Sequence, residues 1–149
     1  GVRGEIDYEA QAAIELEMLA RYVTHRSEPK AYPFSIVAEN GAKVVKLGGL
    51  IASVVTDLRD SIPVPVISLK FHRTMAQIIV AMCRGISQDS GLKRVALSGG
   101  VFQNRLLFGL TTQALSKEGL NILTHHLVPC NDGGISLGQA VVANFAQRS

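Results

Sequence analysis

Val95-Ala-Leu-Ser-Gly-Gly-Val-Phe-Gln-Asn104 opens as an apolar, β-favouring run, stops at Ser98 and two glycines, and resumes as a helix-forming stretch. A buried strand that ends in a small-residue turn and runs into a helix is the building unit of parallel α/β folds. Two glycines at such a turn let backbone N–H groups approach an anion, and the start of the following helix adds partial positive charge. The stretch therefore has the outline of a phosphate or nucleotide cradle. It equally suits a tight strand-to-helix turn that binds nothing.

Working outward, Val128-Pro-Cys-Asn-Asp-Gly-Gly-Ile-Ser-Leu-Gly-Gln139 repeats that pattern at the next strand end. Strand Lys93–Ser98, helix Phe102–Lys117, strand Ile122–Thr124 and helix Ile135–Ala146 alternate, which argues for parallel strands joined by a right-handed crossover. Both glycine turns then fall at the carboxyl edge of the strands, where ligands bind in open α/β sheets. Asp132 is placed at the cleft mouth, where its carboxylate either caps a helix or ligates a divalent cation bridging phosphates.

Towards the N-terminus, Ala12, Ala13, Leu16, Leu19, Ala20 and Val23 recur at helical spacing, with Glu15, Glu17 and Arg21 off the stripe. The pattern predicts an amphipathic helix from Tyr8 to about His25, ended by Ser27-Glu28-Pro29. Phe34–Ala38 and Lys43–Lys46 flank Asn40-Gly41, a strong hairpin-turn signal. Leu50–Leu58 reads as a short helix. Pro63-Val64-Pro65 forms a break, and a longer helix follows from about Val66 to Ser87 along Ile67, Phe71, Met75, Ile78 and Met82. The fold class is α/β: a mixed sheet with a parallel βαβ second half, an antiparallel edge and flanking helices, as one unit over residues 1–149.

Of the 149 residues 47% are hydrophobic and 18% charged, enough for one core. No uninterrupted apolar run approaches the ~18–20 residues that span a bilayer. The 15 basic residues are interleaved with 12 acidic ones, for a net charge of +3. No basic stripe or aromatic platform indicates nucleic-acid binding, and the positive charge also suits a phosphate-bearing small molecule. Cys83 and Cys130 match no metal-knuckle or disulfide spacing, so a reducing cytoplasm is the expected setting. The opening Gly1-Val-Arg-Gly-Glu-Ile-Asp7, without initiator Met or targeting signal, looks like a cut inside a longer chain.

Leu97-Ser-Gly-Gly-Val-Phe-Gln-Asn-Arg-Leu-Leu107 and Asn131-Asp-Gly-Gly-Ile-Ser-Leu-Gly-Gln139 resemble the signatures of the hydrogenase-maturation carbamoyltransferases, the HypF family. Tyr8-Glu-Ala-Gln-Ala-Ala13 and Lys70-Phe-His-Arg73 resemble its pattern too, so the likeness spans nearly the whole chain. The resemblance implies an actin-like ATPase (ASKHA) lobe, the C-terminal part of a Kae1-like nucleotide-binding domain also found in the tRNA threonylcarbamoyltransferases. It implies that Ser98, Gly99, Gly100, Asn104 and Gly133 bind the nucleotide, Asn104 at the adenosine part, and that Asp132 is a metal ligand for Mg or Fe. Carbamoyl-adenylate would form from ATP and carbamoyl phosphate. The carbamoyl group would then pass to the C-terminal cysteine of the dehydratase partner HypE, as precursor of the cyanide ligand of nickel–iron hydrogenase.

The family usually has glycine where this chain has Ala10, at a turn that passes near the ribose, and proline where it has Cys130. Its metal-binding histidine pair, acylphosphatase-like domain, zinc-finger region and carbamoyl-adenylate-forming domain belong to upstream sequence, so zinc is expected only there and the isolated chain should lack catalysis. An O-carbamoyltransferase of the nodulation or antibiotic-tailoring kind shares the fold, and a docking lobe without catalysis is a further reading. A hydrolase would use Ser98 with His125 and Asp132, yet no Gly-x-Ser-x-Gly elbow is present. His125 and His126, adjacent in an extended strand, point to opposite faces and do not form a zinc pair. His72 fits either the cleft wall or the surface, and Glu9 and Glu15 either the nucleotide or the dipole of the first helix.

Overall fold

The computed structural model describes residues 4–23 and 29–146. Helix α1 (Gln11–Ala20) precedes a hairpin of β1 (Ser35–Glu39) and β2 (Ala42–Lys46), then α2 (Gly48–Arg59) and the long α3 (Val64–Ser90). Strand β3 (Arg94–Ala96), α4 (Arg105–Lys117), β4 (Asn121–Leu123) and α5 (Ile135–Ala146) follow, with 3₁₀ turns at Gly100–Gln103 and Asp132–Gly134.

The hairpin pairs Ser35 with Lys46 through Glu39 with Ala42. Asn40 and Gly41 both take positive φ (51° and 80°), as a two-residue turn matched to strand twist requires. In the second half β3 and β4 are parallel, Val95 opposite Ile122, with α4 as the crossover. The βαβ unit is therefore as expected. The single mixed sheet is not: among the described residues the hairpin and the parallel pair are separate two-stranded sheets. Lys43 of the hairpin pairs with Asp89 near the end of α3.

The prolines separate α2 from α3 but do not delay α3 to Val66. Pro63 is its N-cap and Pro65 sits in its first turn, where a missing N–H costs nothing. At 27 residues α3 has the length and mean hydropathy of a membrane-spanning helix, although it contains no uninterrupted apolar run. It packs against α1, α2 and α4. Alongside Ile67, Ala76 and Ile78 it buries three polar residues, Ser68, His72 and Thr74.

Helix α1 departs further from its apolar stripe. It starts at Gln11, since Ala10 is left-handed, and ends at Ala20 instead of about His25; the stop at Ser27-Glu28 lies outside the described residues. Its buried residues are Gln11, Glu17 and Ala20, while Ala12 and Ala13 are exposed. Helix α5 buries none of its residues and leaves Leu137, Val141, Val142 and Phe145 exposed.

Two apolar clusters hold the elements. Leu97, Leu115 and Leu120, with Val80, Phe102 and Phe108 against them, join α3 and α4 to the parallel strands. Tyr32, Leu50 and Ile67 join the segment before β1 to α2 and α3. Tyr32 donates its hydroxyl to Asp57 Oδ2 at 2.7 Å, and Lys70, which also binds Asp57, sits 4.3 Å from the Tyr32 ring centre. Burial alone would raise the Asp57 carboxyl, but the hydrogen bonds from Lys70 and Tyr32 and the charge of Lys70 outweigh it and hold the group below the usual carboxylate range. Burial, then the bond to Asp57, pushes the Tyr32 phenol up.

A folded-state value below the unfolded one gives stability that is complete above about pH 4, the ordinary carboxylate value, and is lost as pH falls through the lower one. Asp57→Asn should thus reduce the unfolding free energy by about 2 kcal/mol near neutrality. In urea titrations the gap from wild type should close as pH drops below about 4.

Candidate functional site

The turn after β3 is fixed residue by residue. Gly99 adopts φ 102° and ψ 154°, open only to glycine, and donates its N–H to the Cys130 carbonyl at 2.7 Å. This bond ties the first glycine turn to the second. Ser98 Oγ lies 3.0 Å from His125 Nε2, across the ends of the two strands. Gly100 then opens the 3₁₀ turn, whose first N–H groups have no partner within it.

Asn104 is the N-cap of α4, its Oδ1 accepting from the Leu107 N–H at 2.8 Å. Glu17 completes the cap from another helix, with Oε1 accepting from the N–H groups of Arg105 (3.1 Å) and Leu106 (3.4 Å). A carboxylate on a helix N-terminus satisfies orphan donors and meets the positive end of the dipole. The α4 start is occupied by Glu17, and the Gly99 N–H by Cys130. Neither Glu17 nor the Cys130 carbonyl bonds the N–H groups of Gly100 and Val101 at the entry of the 3₁₀ turn.

At the second turn, Asn131 Oδ1 caps by accepting from the Gly133 N–H at 3.1 Å. Asp132 does not cap; its exposed carboxylate makes no bond among the described residues. Gly134 has a separate cause, since a Cβ there would lie 2.8 Å from the Pro129 carbonyl oxygen.

Between α1 and these turns lies a cleft of about 570 Å³, lined among others by Glu9, Ala10, Glu17, Gly100, Asn104 and Asp132. That volume is typical of small-molecule sites, which run ~300–1,000 Å³. Of the six residues expected to bind nucleotide or metal, Gly100, Asn104 and Asp132 line it together. Ser98, Gly99 and Gly133 stand behind as parts of the turns. Ala10, left-handed at φ 62°, puts a Cβ at the cleft edge.

His72 occupies neither of its expected places. It is 3% exposed and lies behind Asn104, whose Nδ2 approaches His72 Nε2 to 2.9 Å. Glu17 and His72 were invisible to hydrophobic patterning, which assigns polar residues to solvent. The sequence does carry one signal, a potential N-cap Asn104 with unpaired helix donors behind it.

The hydrolase arrangement is half assembled: Ser98 and His125 meet, but no carboxylate bonds to His125 among the described residues. His126 pairs with Thr124 instead. No three His, Cys, Asp or Glu side chains come together as a metal cage among the described residues. One exposed carboxylate suits Mg²⁺, which takes one or two carboxylates with phosphate oxygens and waters. It does not suit zinc, which needs a closed set of nitrogen or sulfur ligands. Cys83 is half-buried and that burial raises its thiol, which lowers its thiolate fraction.

Residues 1–139 match the family model "Carbamoyltransferase, Kae1-like Domain, second subdomain". The carbamoyltransferase HypF of Synechocystis is 34% identical over 93% of this chain and 17% of its own length. The HypF homolog of Cupriavidus necator is 36% identical over 96% of this chain and 36% of its own. A crystal structure of full-length HypF in its phosphate- and nucleotide-bound form superposes with a TM-score of 0.89 at 36% identity, covering all of this chain and 19% of that one. The chain thus spans well under half the length of these relatives.

Two substitutions test the cleft wall. Glu17→Ala should lower stability by about 2 kcal/mol in chemical denaturation, through loss of the α4 cap. Ala10→Gly, which in a helix interior would be destabilising, should at this left-handed N-cap be neutral or raise stability by up to about 1 kcal/mol.

Proposed function

The chain belongs to the HypF carbamoyltransferase family, and from that we propose that it is the nucleotide-binding lobe of an ATP-dependent carbamoyltransferase. The observation that carries the reading is the cleft in which Gly100, Asn104 and Asp132, drawn from two glycine turns and a helix cap, face α1. The phosphate- and nucleotide-bound state of the full-length relative supports it.

In this reading the adenosine part lies against Asn104 and the phosphates against the Gly100–Val101 entry of the 3₁₀ turn. Asp132 supplies one oxygen ligand to a divalent cation, Mg or Fe, and that cation neutralises phosphate charge. The remaining ligands come from ATP, water or parts of the protein outside this chain. Adenylyl transfer needs positioning and charge stabilisation more than covalent help, and rigid turns provide both. The acid groups Glu9 and Glu17 on the same wall disfavour phosphate at the α1 side and so bias its orientation.

We carry the resemblance to its end in the same spirit. The fold is an actin-like ATPase lobe in a cytoplasmic protein. The substrates are ATP and carbamoyl phosphate, and the carbamoyl group goes to the C-terminal cysteine of HypE for cyanide-ligand synthesis. A docking contribution accompanies this reading, because α5 presents Leu137, Val142 and Phe145 to solvent in one short helix.

Calorimetric titration of the intact protein with ATP and Mg²⁺ tests the reading. Saturable binding is expected, with Asp132→Ala weakening it about tenfold in Mg²⁺ and changing it little in EDTA. Equal affinity of wild type and variant in Mg²⁺ would remove Asp132 from the site, and absence of binding would remove the nucleotide.

A further inference from the structure

A continuous line of hydrogen bonds runs from α1 through α3 to the cleft. Ser68 Oγ donates to the Leu16 carbonyl oxygen of α1. His72 Nδ1 lies 2.8 Å from the Ser68 carbonyl oxygen and 3.4 Å from Ser68 Oγ. Its Nε2 lies 2.9 Å from Asn104 Nδ2, and Asn104 Oδ1 accepts from the Leu107 N–H. Ser68 is fully buried and His72 nearly so, with the edge of the Phe71 ring 6.1 Å away, centre to centre.

The chemistry of each atom fixes the direction of the line. A carbonyl oxygen only accepts, so the hydrogen of the neutral imidazole is on Nδ1. Nε2 is then bare and accepts from Asn104 Nδ2. The amide cannot turn over. Its oxygen is needed by the Leu107 N–H, and reversal would put that oxygen against the Nε2 lone pair and the NH₂ group against a backbone donor. Each end of the amide retains unused capacity, one hydrogen on Nδ2 and one lone pair on Oδ1. Asn104 lines the cleft, so it offers one donor and one acceptor in a fixed order.

We propose that His72 is a positioning residue for the nucleotide site: held as the Nδ1–H tautomer by Ser68, it locks the Asn104 amide in the single orientation presented to the ligand. The ligand class is a group that pairs an acceptor with a donor, as the adenine edge and the ribose diol both do. The proposal rests on the nucleotide reading above for the identity of the ligand, and on the hydrogen-bond line alone for the lock.

The test combines ¹⁵N spectra of the imidazole and of the Asn104 side-chain amide with ATP titrations, all on the intact protein. Wild type should show a protonated Nδ1, a bare Nε2 and a resolved Asn104 NH₂ pair. The other tautomer would overturn the proposal. His72→Gln keeps an acceptor and should retain ATP affinity within about twofold, whereas His72→Phe and Asn104→Ala should each weaken it about fivefold to tenfold. An Asn104→Ala loss with no loss in His72→Phe would sink the lock while sparing the nucleotide reading. An Asn104→Ala variant that binds ATP normally would sink Asn104's place in that reading, and the ¹⁵N tautomer and Asn104 amide signals would still decide the lock. Should His72→Phe fail to fold, the wild-type spectra and the Gln variant decide the matter.

Discussion

The carboxylate of Glu17 on the first turn of α4 is the contact around which the cleft is arranged. One side chain closes a helix end, ties α1 to the βαβ half and forms part of the cleft wall. A buried carboxylate is costly unless its charge is met, and here the two backbone donors, the helix dipole and Arg21 at 3.4 Å meet it. At that helix end it holds the place that an external anion would otherwise take.

The same economy marks the glycine turns. Gly99 donates its N–H to the Cys130 carbonyl, which sets the two turns side by side, and Asn131 takes over the capping that would otherwise engage Asp132. A free carboxylate and free amide hydrogens at the cleft are therefore consequences of what their neighbours have already satisfied. The polar interior of α3 extends this outward, since Ser68 and His72 spend their hydrogen-bonding capacity on holding Asn104 in place.

Much of this was legible from residues alone. The strand–turn–helix reading of Val95–Asn104 located the parallel pair and its crossover, and Asn40-Gly41 located the hairpin, because both signals are local: backbone torsions and alternation along a few residues. The glycine turn at Gly100 and Asp132 were likewise put at one edge by their positions after successive strands, whereas Asn104 came from the family resemblance; all three line one cleft. What escaped was non-local. The apolar stripe put Glu17 in solvent, yet its partners are the N–H groups of Arg105 and Leu106, which no spacing within α1 could indicate. Two sheets were taken for one because strand propensity does not say which edges meet, and the hairpin and the parallel pair share no edge among the described residues.

The distance in sequence between Glu17 and Arg105, 88 residues, has a kinetic meaning. Loop closure over such a span is slow compared with winding a helix, so α4 can form its body early while its first turn awaits α1. Capping of α4 and closure of the cleft wall are then one late event. In a ribosome-synthesised chain α1 is made before α4, so Glu17 waits for its two backbone donors even where α1 already meets α3.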